Sequence, residues 1–181
     1  MKRKDRDALY LIIRYIFLLL IGLYGLFIFY FIFSPMTIYP VFWFLSLFFS
    51  AALDYSLRTI TLNDIAIKLI PACIAGAAYY LLLILNLSTP MNIKKRVKSI
   101  SYLFFAFLIL NIFRIIVFAL LAKNNFQYFD PVHKSTWYFG STALLILIWF
   151  SAVYIFKIKE IPVYSDYRNI IKDIKVKKRS R

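Results

Sequence analysis

Four stretches of this chain run without a charged residue for close to the length of a bilayer: Tyr15–Phe33, Leu69–Ile93, Ser99–Phe113 (continuing past Arg114 to Ala122) and Ser135–Phe156. About 20 apolar residues in helical form cross the ~30 Å hydrocarbon core. Lipid offers no hydrogen bonds, so a spanning segment must satisfy its own backbone, and helices do so. The pattern predicts an all-α integral membrane bundle of about four transmembrane helices. The first run is too long for a signal-peptide core and no small-residue cleavage pattern follows it, so it is predicted to remain as an anchor. With 62% hydrophobic and 20% aromatic residues, the composition excludes an ordinary cytosolic enzyme.

The chain nevertheless carries 23 Lys and Arg against 8 Asp and Glu, a formal net charge of +15. A polyanion partner is one reading of such an excess, so the positions of the charges decide. Five basic residues fall in the first fourteen positions (Lys2, Arg3, Lys4, Arg6, Arg14), four in a connector (Lys94, Lys95, Arg96, Lys98), and nine between Lys157 and Arg181. Lys and Arg in short segments beside membrane spans mark the cytoplasmic side. The excess therefore reads as topology, and no nucleic-acid partner is expected. Both termini are predicted to be cytoplasmic in a multi-pass protein of the cell membrane.

Between the first two runs, Met36–Leu57 includes an apolar segment, Ile38–Leu53, that is short and carries Pro40 near its start. Counting it as a fifth span would put the two basic ends on opposite sides, so it is predicted to be an outer interfacial or re-entrant helix. Thr59–Ile70 reads TITLNDIAIKLI, two β-branched flanks around Asn63-Asp64. That is a hairpin signal, and it belongs at the outer interface because a hairpin cannot lie exposed in lipid. No repeat or linker divides the chain. It reads as one domain over 1–181, with a core of about 40–156, a basic cytoplasmic N-terminus (1–14) and a basic tail (157–181).

Three residues stand apart: one cysteine, Cys73; one histidine, His133; and one arginine deep in a run, Arg114. A single Cys with a single His is too few for a closed zinc site, and no metal or other cofactor is expected. The predicted topology puts Cys73 at the outer start of the second span and His133 in the outer loop before the fourth. Arg114 falls about eight residues, roughly 12 Å, below the outer end of the third. A charged Arg within a span costs at least about 2.5–3.5 kcal/mol, so it marks function unless it snorkels outward or pairs with Asp54 or Asp130. Asn111, three residues earlier on the same helix face, could hold the guanidinium or bond a neighbouring span. Taken singly, Cys73 could be a small hydrophobe and His133 a solvated loop residue. Pro71-Ala72-Cys73, however, puts the thiol near a helix N-terminus that would favour a thiolate, beside the small residues Ala72, Ala75, Gly76, Ala77 and Ala78. Those small residues would let a substrate helix approach. A nucleophile, a base and a fixed cation on one side form a set suited to acyl transfer.

The ordered set Cys73 (in IPACIAG), Arg114 (in LNIFRI) and His133 (in FDPVHKS) resembles the exosortase/archaeosortase family of membrane cysteine transpeptidases, in its small archaeal, pacearchaeosortase-like form. The resemblance covers about Pro40 to Phe156. In this chain the glycine follows as Cys73-Ile-Ala-Gly76, one residue later than the family's Cys-x-Gly, and the extra N-terminal spans of many relatives are missing. The resemblance implies a protease and transpeptidase that cleaves C-terminal sorting signals (a short motif, a membrane helix and a basic cluster) of secreted proteins at the outer membrane face. It implies transfer to an acceptor, a lipid in archaea. Cys73 would then be the nucleophile that forms a thioester, His133 the general base and acid, and Arg114 the oxyanion or substrate stabiliser, with Asn111 and Gly76 in support. The rival reading from another class is a non-catalytic membrane assembly or scaffold protein in which Arg114 is buried against a partner's carboxylate. A transporter with Arg114 as an anion site is disfavoured by so few spans and no repeat pair.

Overall fold

The computed structural model describes residues 3–23, 26–63 and 65–158. Asp64, most of the basic tail and the side chains of the first basic cluster up to residue 11 lie outside the described residues. The fold is mostly helical: α1 (Arg3–Leu23), α2 (Phe27–Ser46), strands β1 (Ala51–Asp54), β2 (Thr59–Leu62) and β3 (Ile65–Lys68), then α3 (Pro71–Ile74), α4 (Gly76–Leu87), α5 (Ile93–Lys123), α6 (Phe129–Ser135), a π-helical turn (Thr136–Gly140) and α7 (Ser141–Ile155).

Among the described residues, three helical segments are long and apolar enough to cross a membrane: Phe27–Ser46, Ile93–Lys123 and the continuous rod Phe129–Ile155. This is one fewer than expected. The run that promised a second span folds as α3 and α4, together Pro71–Leu87, a shorter apolar helix broken at Ala75. Large apolar side chains point away from the protein on these helices. Phe113 is 64% exposed and Leu147 68%, an arrangement that water would penalise and lipid would not.

The boundaries of the first helices also differ from the sequence reading. The apolar run Tyr15–Phe33 is not one helix: α1 ends at Leu23, and Leu26, in the left-handed region (φ 61°), starts α2. Tyr80 of α4 is seated against the end of α1, where its hydroxyl donates to the Leu18 carbonyl at 2.8 Å and lies 2.6 Å from where a Gly22 Cβ would be. The separate re-entrant helix expected from Pro40 is instead the second half of α2, which runs through both Pro35 and Pro40. The cause is packing. Phe29, Phe33, Thr37, Val41 and Leu45 recur every four residues and are all buried, so one face holds the helix together across both missing N–H groups. Phe33 stacks on Tyr79 of α4 with ring centroids 3.6 Å apart, and Phe104 of α5 meets both rings edge-on.

Beyond α2 the chain forms a three-stranded antiparallel sheet in the order β1-β2-β3. The hairpin expected around Asn63 is present, with Thr59 opposite Lys68 and Leu62 opposite Ile65, and Asn63 takes the positive φ (49°) that the turn requires. Ala51–Asp54, read from sequence as the end of a helix, is a third strand paired to β2, with Ala51 opposite Leu62. Ile60 and Leu62 of the central strand are buried, and Leu69 after β3 is buried too, which fixes the entry into α3.

At the far end of α4, Arg96 is buried and donates to the carbonyls of Asn86 (2.7 Å) and Thr89 (2.9 Å), while Asn86 Nδ2 donates to Ser99 at 3.0 Å. A cation on the last carbonyls of a helix complements both its dipole and its open acceptors. One of the four connector cations is therefore a structural cap.

Gly76 holds the α2–α4 contact. A Cβ there would lie 2.8 Å from Tyr30 Cζ and 2.9 Å from Cε1. Gly76→Ala should therefore destabilise the fold by about 1–3 kcal/mol through overpacking. The check is the thermal unfolding midpoint of the detergent-solubilised variant; an unchanged midpoint would show that the contact carries no weight.

Candidate active site

Cys73 sits on the single turn α3, whose start is set by Pro71 at its first position. The turn ends at Ala75, which adopts a left-handed conformation (φ 58°, ψ 43°) and separates α3 from α4. Two consequences follow. The Cys73 thiol lies in the first turn of a helix, as expected, but its own N–H, one of the donors expected to be free there, is already committed to the Ile70 carbonyl (2.8 Å). The break also leaves the Cys73 carbonyl without a helical donor, and Asn111 Nδ2 supplies one across the helix interface at 2.9 Å. Of the two roles open to Asn111, the structure selects the bond to the neighbouring helix. Asn111 is almost wholly buried. Asn111→Leu should cost about 1–3 kcal/mol, because it strands a buried carbonyl. Lower thermal stability together with weaker processing would be the expected pair of observations, and a fully stable, fully active variant would contradict the role.

Gly76 lies just past Cys73, yet its neighbour is Tyr30 rather than the thiol's surroundings. The small-residue face on which a substrate helix was expected is thus partly covered by α2. It is Ala75, not a glycine, that makes the left-handed turn.

Arg114 follows Asn111 by one helical turn on α5, and its Nη1 donates to Ser141 Oγ on α7 at 2.5 Å. Among the described residues it has no ion pair. Asp54, a partner considered for it, is engaged locally by the Ser56 hydroxyl (2.6 Å) and the Leu57 N–H (3.1 Å), which hold its carboxyl below the usual carboxylate range. Asp130, the other, is exposed on α6. The guanidinium is thus held inside the helix bundle by a neutral hydroxyl.

His133, expected in a loop, lies on α6. Its ring packs face to face with Phe129 (5.4 Å, 9°) and edge-on to Phe118 of α5 (4.9 Å, 77°). The aromatic neighbours fix the plane of the imidazole and leave both ring nitrogens without a hydrogen-bond partner among the described residues.

These elements converge. Cys73, Arg114 and His133 line a single cavity of about 180 Å³, together with Ile70, Ala72, Phe118, Lys134, Thr136 and Trp137. Its cations are Arg114 and Lys134, and no carboxylate is among its lining residues. A second, larger and mostly apolar groove of about 430 Å³ runs between α5 and the α6–α7 rod and shares Arg114, Phe118 and Thr136 with the first. A thiol, an imidazole and a guanidinium without an ion pair among the described residues, facing one small space, have the donor and acceptor types needed to attack a carbonyl, move a proton and bind an oxyanion.

Sequence reasoning did not single out Phe118, Lys134, Thr136, Trp137 or Ser141. Phe118 had a signal, since Asn111, Arg114 and Phe118 follow the spacing of one helix face. Compared with family models, with curated proteins and with solved structures, the chain matches none.

Proposed function

We propose that this protein is a membrane cysteine protease and transpeptidase of the exosortase/archaeosortase type, acting on the C-terminal sorting signals of secreted proteins. The observation that supports the reading is that Cys73, Arg114 and His133, drawn from three separate helical elements, line one cavity in which Arg114 has no carboxylate partner among the described residues. An arginine kept within an apolar bundle without a counter-charge is expensive, and a negative charge that develops during reaction is a reason to keep it.

In this reading both termini face the cytoplasm and the cavity opens at the outer face, with the sheet at the outer interface. The signal's scissile carbonyl enters the cavity. Cys73 Sγ attacks the carbonyl carbon while His133 accepts the thiol proton, and Arg114 binds the oxygen as it becomes negative. Collapse of the tetrahedral species breaks the C–N bond, the proton held by His133 passes to the leaving amine, and a thioester remains on Cys73. His133 then takes a proton from the acceptor's nucleophile as it attacks the thioester, and the Cys73 thiolate leaves and is reprotonated. The acceptor is proposed to be a lipid.

The test is reconstitution of the purified full chain in vesicles with a tagged protein ending in motif, membrane helix and basic cluster. Release of the terminal helix and a new C-terminal adduct on the tagged part are expected. A second reading keeps one observation in view: a partner's carboxylate could supply the charge that Arg114 lacks, as in a scaffold. Under that reading Cys73→Ala is silent and Arg114→Ala loses a co-purifying protein.

A further inference from the structure

A long arginine side chain about 12 Å below the outer end of its helix has an alternative to facing the cavity, which is to extend outward toward the interface. Something must hold it inward. The one hydrogen bond that does so among the described residues comes from Ser141, whose Oγ accepts from Arg114 Nη1. The serine is itself held. Its hydroxyl hydrogen is directed at the Thr136 carbonyl (3.3 Å), and its backbone N–H bonds the same carbonyl, closing the π-turn Thr136–Gly140.

That turn is what brings the two residues together. Residues five apart on an α-helix stand about 140° apart around the axis, so Thr136 and Ser141 would face different neighbours. A π-turn places residues five apart nearly one above the other, and here both line the groove against Arg114. The turn is also closed tightly, since a Cβ at Gly140 would lie 3.0 Å from Thr136 Cγ2. The serine occupies one of the five N–H donors of the guanidinium, and the others have no protein acceptor among the described residues.

We propose that Ser141, seated by the π-turn Thr136–Gly140, is the positioning residue that keeps Arg114 in the cavity and aims its remaining N–H donors at the reacting oxygen. The proposal rests on the transpeptidase reading and adds to it a residue that touches no reacting atom. Because the bond orients a group acting on the transition state rather than on bound substrate, its loss appears in kcat more than in KM.

The experiment compares wild type, Ser141→Ala, Ser141→Thr, Ser141→Val and Cys73→Ser as full chains in vesicles, by steady-state processing of the tagged sorting-signal substrate and by thermal unfolding. Thr and Val have nearly the same shape and differ in the hydroxyl, so they separate hydrogen bonding from packing even if Ser141→Ala folds poorly. Ser141→Ala and Ser141→Val should lower kcat by about 10- to 100-fold, taking as a guide the loss seen when the hydrogen-bond partner that orients a metal ligand is removed. KM should stay within about twofold, and Ser141→Thr should recover most of the rate. If Cys73→Ser is inactive but Val and Thr at 141 are equally active, the positioning role is overturned and the transpeptidase reading stands. If Cys73→Ser processes normally, that reading falls and takes this proposal with it.

Discussion

Arg114→Gln is expected to lower kcat/KM for sorting-signal processing by about 10²- to 10³-fold, the range for removing a single oxyanion donor from a preorganised site. Glutamine keeps a hydrogen-bonding amide and much of the length, so Ser141 can still find a donor. What disappears is the fixed positive charge in surroundings that screen it poorly. Arg114→Lys should be nearly as damaging, because a single ammonium cannot donate to Ser141 and to a substrate oxygen with the geometry of a planar fork. Neither variant should lose stability on that account, since no ion pair among the described residues is broken. Wild-type rates in Arg114→Gln would remove the guanidinium from the mechanism; a folded but inactive Arg114→Lys would show that geometry matters alongside charge.

Cys73→Ala should be more severe still. With no nucleophile no thioester forms, and loss on the order of 10⁶-fold, effectively undetectable turnover, is the precedent for deleting the attacking residue of a covalent mechanism. Cys73→Ser should be inactive too, because a hydroxyl has no comparable anion at neutral pH and no carboxylate among the described residues lines the site to strengthen the His133 base. Both variants should fold. Cys73 contributes its carbonyl to Asn111 and its N–H to Ile70, and both are backbone contacts that the substitutions leave in place. Processing by both variants, measured at matched expression, would exclude the cysteine mechanism.

The presence of long apolar helices was legible because uncharged runs of this length have few other uses, and the hairpin because Asn63 sits between two β-branched flanks. Cys73 and His133 stood out as the one cysteine and the one histidine, and Arg114 once the clustered cations were assigned to topology, since it is then the one arginine deep in an apolar run. Helix boundaries were harder to read. Pro40 carried the signal of a helix start, and only the buried stripe Phe29–Leu45, a tertiary fact, carries α2 through it. The Ala75 break has no glycine to announce it, and the nearby Gly76 serves packing against Tyr30 instead. Ala51–Asp54 is four residues of half-buried strand whose identity depends on β2 beside it. Ser141 was invisible for a related reason: its role follows from a π-turn that rotates it toward α5, and no local pattern in STALLILIWF encodes that rotation.

A covalent acyl-enzyme on Cys73 would be open to interception by hydroxylamine. The reconstituted protein and tagged substrate are incubated with and without the nucleophile, and the tagged fragment's new C-terminus is identified by mass spectrometry. Hydroxylamine should divert the fragment to its C-terminal hydroxamate at the expense of the normal adduct, and Cys73→Ala should yield neither. A fragment that ends in a free carboxylate whether or not hydroxylamine is present, and that forms equally well in Cys73→Ala, would contradict it.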